Sequence, residues 1–151
     1  MDDLKVTSGE GIQYIVIRIG AEQYGIDITF VDNIVRMVNI TRCPQVAPYV
    51  LGVMNLRGTV IPVMSLRVKM GLEADEITKA SRIIILKLEQ HGTIGILVDE
   101  VREVITLESE QIEKVSTENA PDKVSFVQCV GKVGPDLVSI LDLNAVASEH
   151  E

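Results

Sequence analysis

A pattern of strand-like runs occurs twice in this chain, and a chain that must satisfy one pattern twice has few ways to fold. Tyr14 to Ile34 reads YIVIRIGAEQYGIDITFVDNI, and Ile83 to Val101 reads IIILKLEQHGTIGILVDEV. Each places an aliphatic run with one base (Arg18, Lys87) before a turn, then a Gly-Ile pair (Gly25-Ile26, Gly95-Ile96) and a Val-Asp pair (Val31-Asp32, Val98-Asp99). The second copy is three residues shorter between those pairs, which sets Ile34 against Val101. A later match joins GTVIPVMSLRV from Gly58 to GKVGPDLVSILDL from Gly131, each a glycine turn, a strand and a leucine exit. The offsets run from 70 (Tyr24 to Ile94) to 77 (Leu66 to Leu143). Two copies mean a duplicated half-chain unit, not a solenoid of three or more repeats. The alternative is coincidence among Ile and Val, against which the aligned turn glycines weigh.

Both units are built of short β-type runs. Ile12 to Ile19 and Arg82 to Leu88 are rich in Ile and Val and end at the turn signals GAEQ and EQHG, the spacing of hairpins. Helical periodicity is brief: VDNIVRM sets Val31, Ile34 and Met37 three apart, and LESEQIEKV has the composition of a short surface helix. The polar stretch ADEITK, Ala74 to Lys79, reads as the seam between units. With 151 residues and 46% hydrophobic content, the chain can be one domain or two small units sharing a core. Closing each sheet hides its edges, so the expected architecture is all-β with short helices, as two small β-barrels packed together.

Net charge of −8 and five aromatics argue against nucleic acid, which calls for clustered bases and stacking platforms. The acid excess lies in the second half, −7 from Arg82 onward against −1 before it. That excess reads either as a solvated face or as a docking surface for a basic partner. The N-terminal MDDLKVTSGEG has no basic n-region or apolar core of a signal peptide, and no apolar run approaches the roughly 20 residues of a membrane span. A cytoplasmic protein without membrane insertion is expected. Cys43 and Cys129, far apart and beside apolar residues, read as buried free thiols.

Catalysis needs convergent titratable groups or a metal. His91 falls in a turn and His150 in the tail, Ser65 and Ser139 lack a nucleophile elbow, and GEG at Gly9 lacks the Lys-Ser/Thr of a P-loop. Asp99 and Glu100 are strand neighbours that point to opposite faces. No enzyme, cofactor or metal site is expected. The apolar surplus instead suits docking, although Val31, Ile34 and Met37 read equally well as core.

The stretch GVMNLRGTVIPVMSLR, Gly52 to Arg67, interrupts an apolar run with Arg57-Gly58 and places Pro62 in a strand. Gly58 suits a tight left-handed turn, and Pro62 an edge or bulge where no ladder bond is lost. Arg57 reads as a polar anchor on a docking face, or as a surface cation neutralised by Asp27 or Asp32. This stretch resembles the signature of the CheW family of chemotaxis coupling proteins, Gly-Val-x-Asn-Leu-Arg-Gly followed by Pro-Val. QYGIDI, the Val-x-x-Ile after it, the Cys-Pro approach and GILVDEV extend the likeness over nearly the whole chain. Ser65 stands where members commonly carry Asp or Asn, which puts a local capping contact in question.

The resemblance implies two intertwined five-stranded SH3-like barrels within one domain, 1–151, with residues 1–14 and 82–145 interleaved with 15–81. It implies a non-enzymatic adaptor, monomeric in isolation and associated with receptor arrays at the inner face of the membrane. Its partners would be the regulatory domain of the chemotaxis histidine kinase and the helical tip of a chemoreceptor. The receptor would lie in a groove between barrels over Ile15, Val31, Ile34, Met37 and Val101, with Asn33, Gly52 and Val98 beside them and Asn55 and Arg57 as polar contacts. The kinase, packing barrel end to barrel end elsewhere, has no assignable contact residues. The rival reading is a β-module of another two-component system.

Overall fold

The aliphatic runs are continuous because their strands are buried on both faces, so side chains of either parity meet a core. In Ile12–Ile19, Tyr14 and Val16 join one buried cluster while Ile15, Ile17 and Ile19 join another. In Arg82–Leu88, Ile83 and Ile85 divide from Ile84, Leu86 and Leu88 in the same way. Three apolar layers result: one inside each sheet's curl and one between the sheets. The structure is a computed structural model that describes residues 11–44, 46–73, 76–114 and 126–148.

In chain order the elements are β1 (Ile12–Ile19), β2 (Glu22–Asp27), β3 (Val31–Arg36), β4 (Val50–Leu56), β5 (Thr59–Ser65), α1 (Leu66–Lys69), β6 (Arg82–Leu88) and β7 (Gly92–Val98). They continue with β8 (Glu100–Leu107), β9 (Ile112–Lys114), β10 (Val127–Val133), β11 (Asp136–Leu141) and α2 (Leu143–Ala147). The first sheet runs β9-β10-β11-β2-β1-β8 and the second β3-β6-β7-β5-β4. The second closes on itself where Thr41, beyond β3, exchanges both backbone hydrogen bonds with Val53 of β4 at 2.8 Å. The first curls until Leu107, at the end of β8, lies against the bare face of Gly131 on β10. The two packed barrels are thus present, and the first carries a sixth, three-residue strand, β9.

The strand order exposes how the duplication is used. The order β10-β11-β2-β1-β8 in one sheet and β4-β5-β7-β6-β3 in the other are the same series with the halves exchanged. Within this series each sheet takes a β-hairpin, β1–β2 or β6–β7, from one half of the chain and three strands from the other, β9 being additional to the series. Each exchanged hairpin is joined by a parallel pairing on one side, Ile140 beside Gly25 and Val63 beside Gly95, and by an antiparallel one on the other, β1 with β8 and β6 with β3. The expected seams at 14/15 and 81/82 therefore move. Residue 14 lies inside β1, and β6 and β7 belong with Val31 to Ser65. The first sheet is built from residues 12–27 and 100–141, the second from 31–98. The seam expected at Ala74 to Lys79 falls between α1 and β6, with Ala74 and Asp75 outside the described residues.

Two helical expectations change as well. VDNIVRM is mostly β3, whose register against β6 shifts between Val31 and Asn33, making Asp32 a bulge. One extra residue restores parity, so Val31 and Ile34 face the same layer although three apart. Met37 turns to the interior of the second barrel with Val35. LESEQIEKV holds only a 3-10 turn, Ser109–Gln111, before β9. An equivalent bulge follows Val101 in β8, where the register against β1 shifts between Val101 and Glu103. The structural match is thus Val31 with Val101 and Ile34 with Val104, not Ile34 with Val101. No gap separates the copies there.

Candidate docking interface

β4 and β5 meet at the pair Leu56–Thr59 across a two-residue turn, Arg57-Gly58, with φ of 54° and 87°. Positive φ at both positions is the hairpin geometry that favours Asn-Gly. Arg57 is, among the described residues, the one non-glycine in this region, and the equivalent position of the other half is Gly134 at φ 59°. Holding a side chain there costs about 1–2 kcal/mol. Asn55 braces the turn, its Oδ1 accepting from the Gly58 N–H at 2.9 Å. Arg57 itself is exposed, and neither expected acid neutralises it. Asp32 meets Lys87 at 3.6 Å, and Asp27 accepts from the Thr29 N–H and hydroxyl at 2.9 and 2.8 Å. Backbone strain of this kind clusters at functional sites, which keeps Arg57 a candidate.

Pro62 costs the sheet nothing. Its partner Val53 spends its hydrogen bonds on Thr41, and pairing of β5 with β7 begins one residue later, at Val63. Exposed Val60 and Pro62 alternate with Ile61 and Val63, which face the barrel interior.

The remaining expected site residues divide by burial. Ile15 and Val98 are 3% and 0% exposed in the layer between the sheets, so neither can touch a partner. Gly52 is buried where β4 is closed by Thr41, at φ 145°, and a Cβ there would stand 2.1 Å from the Thr41 carbonyl oxygen. Its role is in the backbone. Val31, Ile34 and Val101 are half-buried and pack on the edge of the inter-sheet layer, Val31 and Ile34 from β3 and Val101 from β8. Asn33 is half-buried, its Oδ1 accepting from the Ile34 N–H at 2.8 Å. Met37 is separate from that edge and shares the second barrel's core with Leu56, beside the Arg57 turn.

Sequence reasoning missed Val104, 51% exposed on β8 opposite Ile15, in the place Ile34 takes on β3. The signal was present: VDNIV and VREVI align without a gap. Phe30, 40% exposed in the 3-10 turn Ile28–Phe30 that leads into β3, was missed too.

The strongest electrostatic site lies at the sheet crossover. Asp99 accepts from Arg67 Nε at 3.0 Å and Nη2 at 2.7 Å, and from the Gly20 N–H at 2.8 Å. Glu100 accepts from Arg18 Nε at 2.8 Å, and Nη1 of the same guanidinium lies 3.7 Å from Asp99. The Arg67 fork, with the Gly20 amide, holds the Asp99 carboxyl below the usual carboxylate range despite its burial. A depressed value means stability that is complete above about pH 4 and is lost as pH falls through the folded-state value. Asp99→Asn is expected to lower stability at pH 7 by about 2 kcal/mol. In denaturant titrations the gap from wild type should close below about pH 4.

Ser65 supplies the cap that its residue type put in question: its Oγ accepts from the Val68 N–H at 3.1 Å to open α1, as Asp142 opens α2 from Ala145 at 3.2 Å. Cys129 is a buried free thiol, its pKa raised by burial, whereas Cys43 is only half-buried. A depression of about 600 Å³ is lined by Tyr49, Pro62, Met64, Ile94 and His91, with no carboxylate or thiol among its described lining residues. Among the described residues no helix is long and apolar enough to cross a membrane.

A family model described as a CheW-like domain matches residues 13–151. The chain belongs to the CheW family. It is 37% identical over 140 residues to the chemotaxis protein CheW of Bacillus subtilis, covering 93% of this chain and 89% of that one. It is 35% identical over 137 residues to CheW of Helicobacter pylori, covering 91% and 82%. The scaffolding protein TtCheW from Thermoanaerobacter tengcongensis superposes with a TM-score of 0.79 at 32% identity, over 90% of this chain and 92% of that one. Within the CheW signature of this chain, Asn55, Arg57 and Gly58 form the strained turn, Gly52 closes the barrel, and Arg67 holds Asp99.

Proposed function

We propose that this chain is a non-enzymatic adaptor of bacterial chemotaxis, which holds the cytoplasmic tip of a chemoreceptor and the regulatory domain of the chemotaxis histidine kinase together in arrays at the inner membrane face. The observation that carries this reading is the CheW-family match from residue 13 to 151, covering both sheets. Two relatives that share about a third of its residues are named chemotaxis proteins, and a structural neighbour is named a scaffolding protein.

The receptor surface fits an amphipathic helix, which needs a short apolar strip with a polar contact at its margin. Val31 and Ile34 on β3 and Val101 and Val104 on β8 supply the strip, one pair from each barrel, and Arg57 with Asn55 supplies the margin. A receptor change alters the kinase through this adaptor only where the three-way contacts differ between signalling states. Arrays strengthen each weak contact through effective concentration.

The test is co-sedimentation with receptor-bearing membranes and kinase, with kinase activity measured in the presence and absence of this protein. Val104→Asp and Ile34→Asp should each reduce capture of receptor fragments roughly ten-fold or more while circular dichroism stays that of the wild type. Val104→Asp is the cleaner variant because the side chain is 51% exposed. Unchanged capture by both would remove this strip from the interface.

A further inference from the structure

The chain passes between the two sheets at two equivalent crossovers, and among the described residues only one is fastened by an ion pair. From β2 to β3 it passes through the 3-10 turn Ile28–Phe30, whose Thr29 bonds locally to Asp27. From β7 to β8 it passes through a single residue, Asp99. The carboxylate of Asp99, 11% exposed, takes both arms of Arg67, from the start of α1 on the second sheet, and the Gly20 amide, from the β1–β2 turn of the first. Its own N–H donates to the Arg18 carbonyl at 3.2 Å. The equivalents of Asp99 and Arg67 in the other half are Thr29 and Asn144, which cannot form such a pair. The clasp is therefore not a requirement of the fold, since the duplicated architecture closes its other crossover without one.

We propose that Asp99 is a positioning residue: the Arg67–Asp99–Gly20 clasp fixes the angle between the barrels and so keeps the β3 and β8 strips in register for a partner that spans both. The inference rests on the two-barrel receptor surface proposed above. A single-residue crossover held by a bidentate ion pair in a shielded setting resists rotation better than a surface pair, because both guanidinium arms and the carboxylate plane must move together. Each barrel has its own apolar interior and the two share the larger layer between the sheets, so the clasp acts beside that layer on their relation and not on either interior.

The test uses the full chain with spin labels at Val60 and Leu137, which are 63% and 62% exposed, one on each sheet. Asp99→Asn and Arg67→Gln should broaden or shift the inter-label distance distribution and weaken capture of a receptor-tip fragment roughly ten-fold. Arg67→Lys, which keeps the charge and loses the fork, should fall between them and the wild type. Where Asp99→Asn does not fold, Arg67→Lys supplies the same measurement. A distance distribution identical to wild type in folded variants would overturn the proposal and leave the clasp a source of stability alone. Ile34→Asp separates the two readings: it should leave the distances unchanged and lose capture, whereas retained capture would count against the receptor surface and not against the clasp's control of the angle.

Discussion

Replacing Gly52 by alanine is expected to abolish the folded state at ordinary temperatures, a loss of more than about 4 kcal/mol. The new methyl group would sit 2.1 Å from the Thr41 oxygen and 2.7 Å from its carbonyl carbon, and both neighbours are backbone. No rotamer change relieves that contact, and the φ of 145° is itself closed to side chains. The only relaxation is to part Thr41 from Val53, which breaks two hydrogen bonds and opens the second barrel at its closure. Gly131→Ala is the control. There the methyl meets Leu107 Cδ1 at 2.3 Å, the far end of a flexible side chain, so the cost should be smaller, roughly 1–3 kcal/mol of overpacking. Chemical denaturation of both variants decides it: equal losses would show that closure at Thr41 is not what Gly52 secures.

Arg57→Asn is expected to move stability and binding in opposite directions. Asparagine tolerates the left-handed region and makes the Asn-Gly pair preferred in this turn, so the variant should be more stable by about 1 kcal/mol. For a chain of this size that raises the melting temperature by about 3 °C. The same change removes the exposed guanidinium, and receptor capture should weaken by about 2 kcal/mol, close to thirty-fold. A substitution that merely damaged the fold would lower both. Arg57→Lys tests the fork against the charge: it keeps the strain and the cation but not the planar donors, so it should leave stability unchanged and recover only part of the binding. Full binding by Arg57→Asn would mean that the arginine is not the anchor.

The turn was legible in the residues because its requirements are local. Gly58 admits the positive φ that side chains resist, Pro62 has a fixed φ and no N–H to donate, and the structure puts each where that property is needed. The exchange of hairpins between sheets was not legible from composition or spacing. β1 and β6 are aliphatic on both faces, so nothing in their parity says which neighbour lies on which side. The false helix in VDNIVRM arose because a bulge at Asp32 mimics a period of three, and setting Val31-Asp32 against Val98-Asp99 hid the match of Ile34 with Val104. Burial could not be read either. Ile15 and Val104 are both β-branched aliphatics in strands and are register partners, yet Ile15 is 3% exposed and Val104 51%.

The exchanged hairpins also make each half of the chain depend on the other. A lone half contains a hairpin with no sheet to enter and three strands with a gap between them. Two separate identical halves would complete themselves only by lending hairpins to each other, as a symmetric swapped pair. Within one polypeptide that loan is permanent, and the two copies need not be identical. Arg57 opposite Gly134, and Asp99 opposite Thr29, are what each copy has done with the freedom.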